Sequence, residues 1–152
     1  MPRTVVIALT LTLAGSAVAA TAPTAATQRE RAEVVSASVP PLVKSIRVSG
    51  FGRVMATRRN QALYYWTPEK RSPGKIVCTG SCAVAWPVLY VPKGTVVQRR
   101  YPGYKGVFGT IRRPNGRLQL TYNRLPLYTY AHEGPNVVRC DDVDGWFVIR
   151  LA

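Results

Sequence analysis

The chain has 152 residues, of which 21 are Lys or Arg and 7 are Asp or Glu, giving a formal net charge of +14. This length is typical of one domain and allows a buried core, and beyond the amino terminus no run is long or apolar enough to predict a transmembrane segment. The charge favours anionic partners such as acidic wall or matrix polymers and membrane surfaces, although solubility alone also explains it.

Residues 1–19 have the features of a secretory signal peptide. Arg3 supplies a positive start, residues 5–13 are apolar, and Ala17-Val18-Ala19 forms a small-residue cleavage site. We therefore predict an exported protein that is secreted, periplasmic or at the cell surface, where nucleic acid is not an expected partner. The first cysteine is Cys78, so no residue near the cleavage site can take a lipid anchor and none is expected.

Residues 20–41 are rich in Ala, Thr, Ser and Pro, a composition typical of a flexible tether. From residue 42 onward, short runs of β-branched and aromatic residues alternate with Gly, Pro and Asn, without helical periodicity. We therefore predict an all-β fold for residues 42–152, a single domain of two pseudo-repeats with short antiparallel strands and long loops. A short helix or turn is expected at residues 81–85. The predicted strands are 46–48, 53–57, 62–66, 95–99, 108–112, 118–122, 127–130 and 146–151.

Two β-hairpins are predicted from their turn residues. Asn115-Gly116, preceded by Pro114, separates two alternating runs, and Asn-Gly readily adopts the positive φ angles of a type I′ turn. The corresponding turn in the first half of the domain is residues 58–61. There we expect Asn60 to take the left-handed conformation.

A seven-residue motif, Leu-Tyr-x-aromatic-x-x-Glu, occurs at residues 63–69 and again at residues 127–133, and each copy is followed by cysteine and then tryptophan. This likeness predicts a duplicated unit, with repeat one at about residues 46–91 and repeat two at about 104–152. We expect the two units to pack through their aromatic faces and interpret the shared residues as structural. They are Leu63, Tyr64, Trp66, Glu69, Trp86, Leu127, Tyr128, Tyr130, Glu133 and Trp146.

The ordered motifs resemble the bacterial "secreted repeat of unknown function" family, also described as predicted lipoproteins with a Tyr-x-aromatic-x-x-Asp motif. The resemblance covers about residues 44–152 and implies little about activity. In the first half it is carried by Gly52-Arg53-Val54, Leu63-Tyr64-Tyr65-Trp66, Cys78-Thr79-Gly80-Ser81-Cys82-Ala83 and Trp86-Pro87. In the second half it is carried by Phe108-Gly109-Thr110, Asn115-Gly116, Gln119-Leu120-Thr121-Tyr122-Asn123, Pro126-Leu127-Tyr128-Thr129-Tyr130 and Gly145-Trp146.

The chain departs from that family's pattern at three places. Glu69 and Glu133 stand where the family's motif usually has Asp. Arg124 follows Asn123 where many members have Gly. Many members are anchored lipoproteins, and this chain lacks the cysteine that such an anchor needs.

The cysteines allow several arrangements. Cys78 and Cys82 enclose three residues, and thiols this close in an oxidising compartment commonly form a disulfide. Cys140 would then be free, link two molecules, or replace one partner in a bridge between the repeats. Together with His132, the three cysteines also match the composition of a Cys₃His zinc site, and a redox role is the remaining possibility. A redox or metal-binding protein that uses these four residues is therefore our alternative function.

No catalytic constellation, cofactor or resident metal is predicted. Glu69 and Glu133 could act as an acid and base pair, but we expect them to accept hydrogen bonds and brace loops. The chain has a single histidine and no Gly-x-Ser-x-Gly frame, which argues against serine hydrolysis. The alternating aromatic residues are expected to be core rather than a stacking platform, and Asp144-Gly145 is expected to form a turn.

Between Glu69 and Glu133 the chain has eleven basic residues and no acidic one. We hypothesise that a basic face engages anionic envelope polymers or lipid head groups. The protein would then be an exported, non-enzymatic binding or structural module. The residues proposed for this face are Arg99, Arg100, Lys105, Arg112, Arg113 and Arg117.

Overall fold

Short antiparallel strands and long loops make up residues 42–152, the part of the chain that the computed structural model describes. The predicted signal peptide (1–19) and tether (20–41) lie outside the described residues. The elements in chain order are β1 (Val43–Val48), β2 (Gly52–Thr57), β3 (Tyr64–Trp66), α1 (Thr67–Arg71), α2 (Ser81–Ala85), β4 (Phe108–Arg112), β5 (Leu118–Tyr122), β6 (Leu125–Pro126) and β7 (Trp146–Val148).

Three small antiparallel sheets contain all of these strands. β1 pairs with β2, β3 pairs with β7, and β4, β5 and β6 form a three-stranded sheet in that order. Two five-residue helices are the only α-helices within residues 42–152, and the all-β prediction is therefore confirmed. The bounds predicted for β4, β5 and α2 agree with those observed.

The strand predicted at residues 127–130 is wrong, because only Tyr128 forms isolated bridges there, and the strand predicted at residues 95–99 is also wrong. This segment is irregular, and Val96 is 67% exposed. Its backbone groups find other partners: the Gln98 N–H donates to Tyr101 Oη (2.9 Å), and the Arg99 carbonyl accepts from the Phe108 N–H (2.9 Å). Residues of high β propensity therefore form no strand here, because propensity reflects how a side chain packs in a sheet and not the backbone alone.

The two predicted hairpin turns have the same pattern of backbone hydrogen bonds. The type of the turn at Asn115-Gly116 differs from the prediction. The Gly116 N–H donates to the Arg113 carbonyl (2.9 Å), which places Pro114 at the second turn position, and only Gly116 has a positive φ (78°). This is the geometry of a type I turn followed by a left-handed residue, so the predicted type I′ turn is wrong. In the other hairpin, Asn60 has the expected left-handed conformation (φ 66°).

A third tight turn, at Asn123-Arg124, joins β5 to β6. Both residues have positive φ, 51° for Asn123 and 67° for Arg124, which is the type I′ conformation. Arginine in the left-handed region is strained, because its Cβ crowds the following carbonyl oxygen.

Matched hydrogen bonds connect the two halves of the domain crosswise. The Met55 N–H on β2 donates to the Ile149 carbonyl (2.8 Å), and the Leu120 N–H on β5 donates to the Leu89 carbonyl (2.9 Å). Ile149 and Leu89 each lie three residues after a tryptophan. Each half thus binds the segment that follows the other half's tryptophan.

The core consists of two clusters of buried apolar side chains, and full burial of a large aliphatic side chain contributes about 1.5–3 kcal/mol to folding. One cluster surrounds the motif tyrosines and the later tryptophans, whereas the other lies against β2 and β5. Their central members are Tyr64, Trp86, Tyr128 and Trp146 in the first, and Met55, Leu63, Phe108, Leu120 and Leu127 in the second.

Candidate functional site

The motif tyrosines and glutamates pair between the two halves. Tyr64 Oη donates to Glu133 Oε2 at 2.5 Å, and Tyr128 Oη donates to Glu69 Oε1 at 2.8 Å. All four side chains are at least 95% buried. Each tyrosine therefore contacts the glutamate of the other motif copy, and neither carboxylate is exposed to solvent.

Both carboxylates also hold the loop that follows their motif. Glu69 Oε1 accepts hydrogen bonds from the N–H groups of Val77 (2.8 Å) and Cys78 (3.1 Å). Glu133 Oε2 accepts one from the Arg139 N–H (2.7 Å). Hydrogen bonds to a charged acceptor are about twice as strong as neutral ones, so these contacts fix the loops as expected for bracing residues.

Burial controls the protonation of this network. Desolvation raises the pKa of Tyr64 and of Tyr128 far above the ordinary value of 10, and the partner glutamate raises each further. Burial likewise raises the pKa of Glu133, although hydrogen bonds from Tyr64 and the Arg139 N–H oppose the shift. Both phenols therefore remain proton donors at neutral pH.

Arg113 does not belong to the predicted basic face. Its side chain is 6% exposed, and Nη2 donates to the Cys78 carbonyl (2.6 Å) while Nη1 donates to Gln119 Oε1 (2.7 Å). A buried guanidinium is stable only when its N–H groups are satisfied, and these contacts meet that requirement. Arg113 thus links the β4–β5 hairpin to the disulfide loop and corrects the prediction that it faces solvent.

The motif aromatic side chains form a stack in the core. Trp146 lies between Trp86, with ring centroids 3.7 Å apart, and Trp66, at 5.3 Å, and both pairs are within 8° of parallel. Tyr64 meets Trp86 edge-on, and Tyr128 meets Trp146 in the same way. Trp86 and Trp146 are at least 92% buried and belong to the core, whereas Trp66 at the end of the stack is partly exposed.

The cysteines and the histidine are not assembled into one site. The predicted Cys78–Cys82 disulfide is confirmed, and Cys140 is a buried free thiol whose pKa is raised by burial. His132 is exposed. Two of the three sulfurs are bonded to each other, and residues 42–152 contain no group of three or more His, Cys, Asp or Glu side chains that could hold a metal ion.

The Asp144-Gly145 turn is present and supports the tryptophan stack. The Trp146 N–H donates to the Val143 carbonyl (2.9 Å), while the Asp144 carbonyl accepts from Trp66 Nε1 (3.0 Å). Gly145 has a φ of 79°, and a Cβ there would lie 2.4 Å from Thr67 Oγ1. Only glycine fits this contact.

The exposed surface is strongly basic. Eighteen Lys and Arg residues lie within residues 42–152, and all except Arg113 are exposed. Of the five acidic residues there, Glu69 and Glu133 are buried, and Asp141 makes the one ion pair found in this part of the chain, with Arg150. Five of the six residues predicted to form a basic face are exposed, and we call these five the basic surface: Arg99, Arg100, Lys105, Arg112 and Arg117.

Part of the basic surface lines a cavity of about 440 Å³ beside the β4–β5 hairpin. Lys93, Arg112 and Arg117 contribute their side chains, and no acidic residue lines it. The Arg117 guanidinium lies 3.5 Å above the ring of Tyr90, a cation–π contact that orients it. Cations without a nearby carboxylate concentrate positive potential, which attracts anions.

A second cavity, of about 810 Å³, was not predicted from the sequence. Its lining includes the stacked rings of Tyr65 and Phe147, with centroids 5.8 Å apart, and the cations Lys70, Arg124 and Arg150. It is formed between β3, β7 and the β5–β6 turn, which are distant in sequence. The local sequence signal for this cavity is therefore the Asn123-Arg124 turn.

No family model, curated protein or solved structure matches this chain. Within residues 42–152, no helix is long and apolar enough to cross a membrane. The disulfide is typical of proteins in oxidising compartments outside the cytoplasm.

Proposed function

We propose that this protein is an exported, non-enzymatic binding module whose exposed cations engage acidic polymers of the cell envelope. The observation that carries the proposal is the separation of charge. Seventeen basic side chains face solvent, whereas two of the five acidic ones in residues 42–152 are buried in the tyrosine network and a third is paired. Such a field attracts polyanions and raises their local concentration.

Polymers fit the surface better than membranes do. The large hydrophobic side chains that are exposed within residues 42–152 are all valines, namely Val77, Val84, Val96 and Val143. Peripheral membrane binding usually combines basic residues with Trp, Phe or Leu side chains that enter the acyl boundary. The resemblance to the secreted repeat family, which we also propose as its family, agrees with export and assigns no ligand.

Binding of the mature protein to polygalacturonate, measured across a salt series from about 0.05 M to about 0.5 M, tests this function. Because salt screens exposed charges, we expect the affinity to fall by at least about tenfold across the series. Neutral dextran is the control and should not bind. Salt-independent binding, or tighter binding to vesicles of anionic lipid than to the polymer, would contradict the proposal.

A further inference from the structure

We infer that the cavity formed between β3, β7 and the β5–β6 turn is a binding site for an acidic saccharide unit. The inference rests on the proposed function and narrows its ligand. The cavity's volume of about 810 Å³ lies within the range of about 300–1,000 Å³ that is usual for small-ligand sites. Its lining combines aromatic rings with a few charged groups.

Each part of the lining matches one part of such a ligand. The rings of Tyr65 and Phe147 offer apolar surface for the C–H face of a sugar. Lys70 and Arg124 can bind a carboxylate or an ester sulfate, and the planar guanidinium can do so through two hydrogen bonds. The exposed Asp142 can accept hydrogen bonds from sugar hydroxyl groups.

The other two charged residues in the lining largely satisfy each other. Arg150 Nη2 pairs with Asp141 Oδ2, and Asp141 Oδ1 accepts from the Val148 N–H (2.9 Å). The charges available to a ligand are therefore Lys70, Arg124 and the single carboxylate of Asp142. Two cations against one carboxylate leave the site net positive, as any anionic ligand requires. A polymer of phosphate alone has no apolar face to place against the aromatic rings, whereas a sugar does.

Arg124 is the residue that most directly indicates binding. It occupies the second position of a type I′ turn, where glycine is strongly preferred, and its φ of 67° is strained for arginine. Strained positions of this kind cluster at ligand clamps, because a functional side chain is kept there despite its conformational cost.

Arg124 also connects the cavity to the basic surface. It lines a neighbouring cavity of about 360 Å³ together with Arg99 and the β4 residues Gly109 and Thr110. A polymer held at the basic surface could therefore place one of its acidic units in the larger cavity, beside Tyr65.

The test uses Arg124→Gly, for which stability and binding should change in opposite directions. Removing the strained Cβ should raise Tm by about 4 °C. Loss of the guanidinium should weaken binding of a galacturonic acid hexamer by at least about tenfold. Asn60→Gly is the control for glycine at another left-handed turn position and should leave binding unchanged. Exposed Arg58→Ala is the control for the loss of one charge.

Each outcome has one meaning. The site is supported if Arg124→Gly has a higher Tm and a lower affinity for the hexamer, while Arg58→Ala loses less than about twofold in affinity. Equal losses for the two arginine variants would overturn it while leaving polymer binding by diffuse charge intact. Linear polyphosphate that binds more tightly than the hexamer, with the same dependence on Arg124, would overturn the saccharide assignment. If neither the hexamer nor polygalacturonate binds, the proposed function itself fails.

Discussion

Tyr64 and Tyr128 exchange a pair of backbone hydrogen bonds, from the Tyr64 N–H to the Tyr128 carbonyl (2.9 Å) and from the Tyr128 N–H to the Tyr64 carbonyl (3.0 Å). The side chains continue this exchange, since each phenol reaches the glutamate of the other motif copy. The two halves are thus joined at the residues that define the motif. The same contacts keep the carboxylates of Glu69 and Glu133 buried, so that these two negative charges do not lie on the surface beside the cations.

The pairing of each motif tyrosine with the glutamate of the other copy predicts which double variants have non-additive effects on the free energy of unfolding. Tyr64→Phe and Glu133→Gln should each destabilise the fold by about 1–3 kcal/mol. The first removes a donor to the buried carboxylate, and the second makes the acceptor neutral and buries an amide N–H where no acceptor lies. Together they should show a coupling energy of about 1–2 kcal/mol in urea unfolding. Tyr64→Phe combined with Glu69→Gln, which share no hydrogen bond, is the control and should be additive within about 0.5 kcal/mol. Equal coupling in both cycles would refute crosswise pairing.

The raised pKa values of Tyr64 and Tyr128 predict a loss of stability at alkaline pH. In the unfolded chain a tyrosine ionises near pH 10, whereas in the folded protein burial keeps both phenols protonated above that pH. The unfolded state therefore binds fewer protons, and the free energy of unfolding falls as pH rises beyond about 10. Urea midpoints from about pH 8 to 11 should decline less steeply for Tyr64→Phe than for wild type. If Tyr64→Phe keeps the wild-type slope, the prediction fails.

Gly145 should tolerate no side chain, because a Cβ at this position meets Thr67 Oγ1. Gly145→Ala should therefore destabilise the fold by about 2 kcal/mol more than Gly74→Ala. Gly74 is a suitable control since it also has a positive φ (83°), but a Cβ added there would meet no atom within 4 Å. Thermal unfolding of the two variants measures the difference, and equal melting temperatures would show that the Thr67 contact imposes no constraint.

The cysteine arrangement predicts a definite sequence of thiol counts. Under non-reducing conditions the folded protein should give no rapid reaction with a thiol reagent, because Cys140 is buried and its thiol pKa is raised. Denaturation should expose one thiol, and reduction should then release all three. The intact mass after alkylation gives the number of reactive thiols in the folded, the denatured and the reduced protein. Three thiols on denaturation alone would exclude the Cys78–Cys82 disulfide.

Local patterns in the sequence were sufficient to predict β4, β5, α2 and the Cys78–Cys82 disulfide, because each depends on residues a few positions apart. They failed at residues 95–99, where β-branched side chains suggested a strand but the backbone bonds locally. The type of residue alone therefore determined neither the elements that were predicted correctly nor the strand that was predicted wrongly.

Long-range contacts explain what could not be predicted. Arg113 is buried because its guanidinium meets the Cys78 carbonyl, 35 residues earlier, and nothing in the hairpin sequence indicates that partner. Tyr64 donates a hydrogen bond to Glu133, 69 residues later, and not to Glu69, the glutamate of its own motif copy. The site at Arg124 depends on the same crossing of the chain. The repeated motif can be found in the sequence, whereas the exchange of contacts between its two copies is seen only in the structure.

The most direct test of polymer binding by the basic surface compares two variants of equal net charge. One replaces the basic surface, Arg99, Arg100, Lys105, Arg112 and Arg117, with Gln, and the other replaces five exposed cations elsewhere, Lys44, Arg47, Arg58, Arg59 and Arg139. Affinity for polygalacturonate at about 0.1 M salt should fall at least about tenfold in the first and less than about threefold in the second. Equal losses in the two variants would contradict a localised polymer-binding surface.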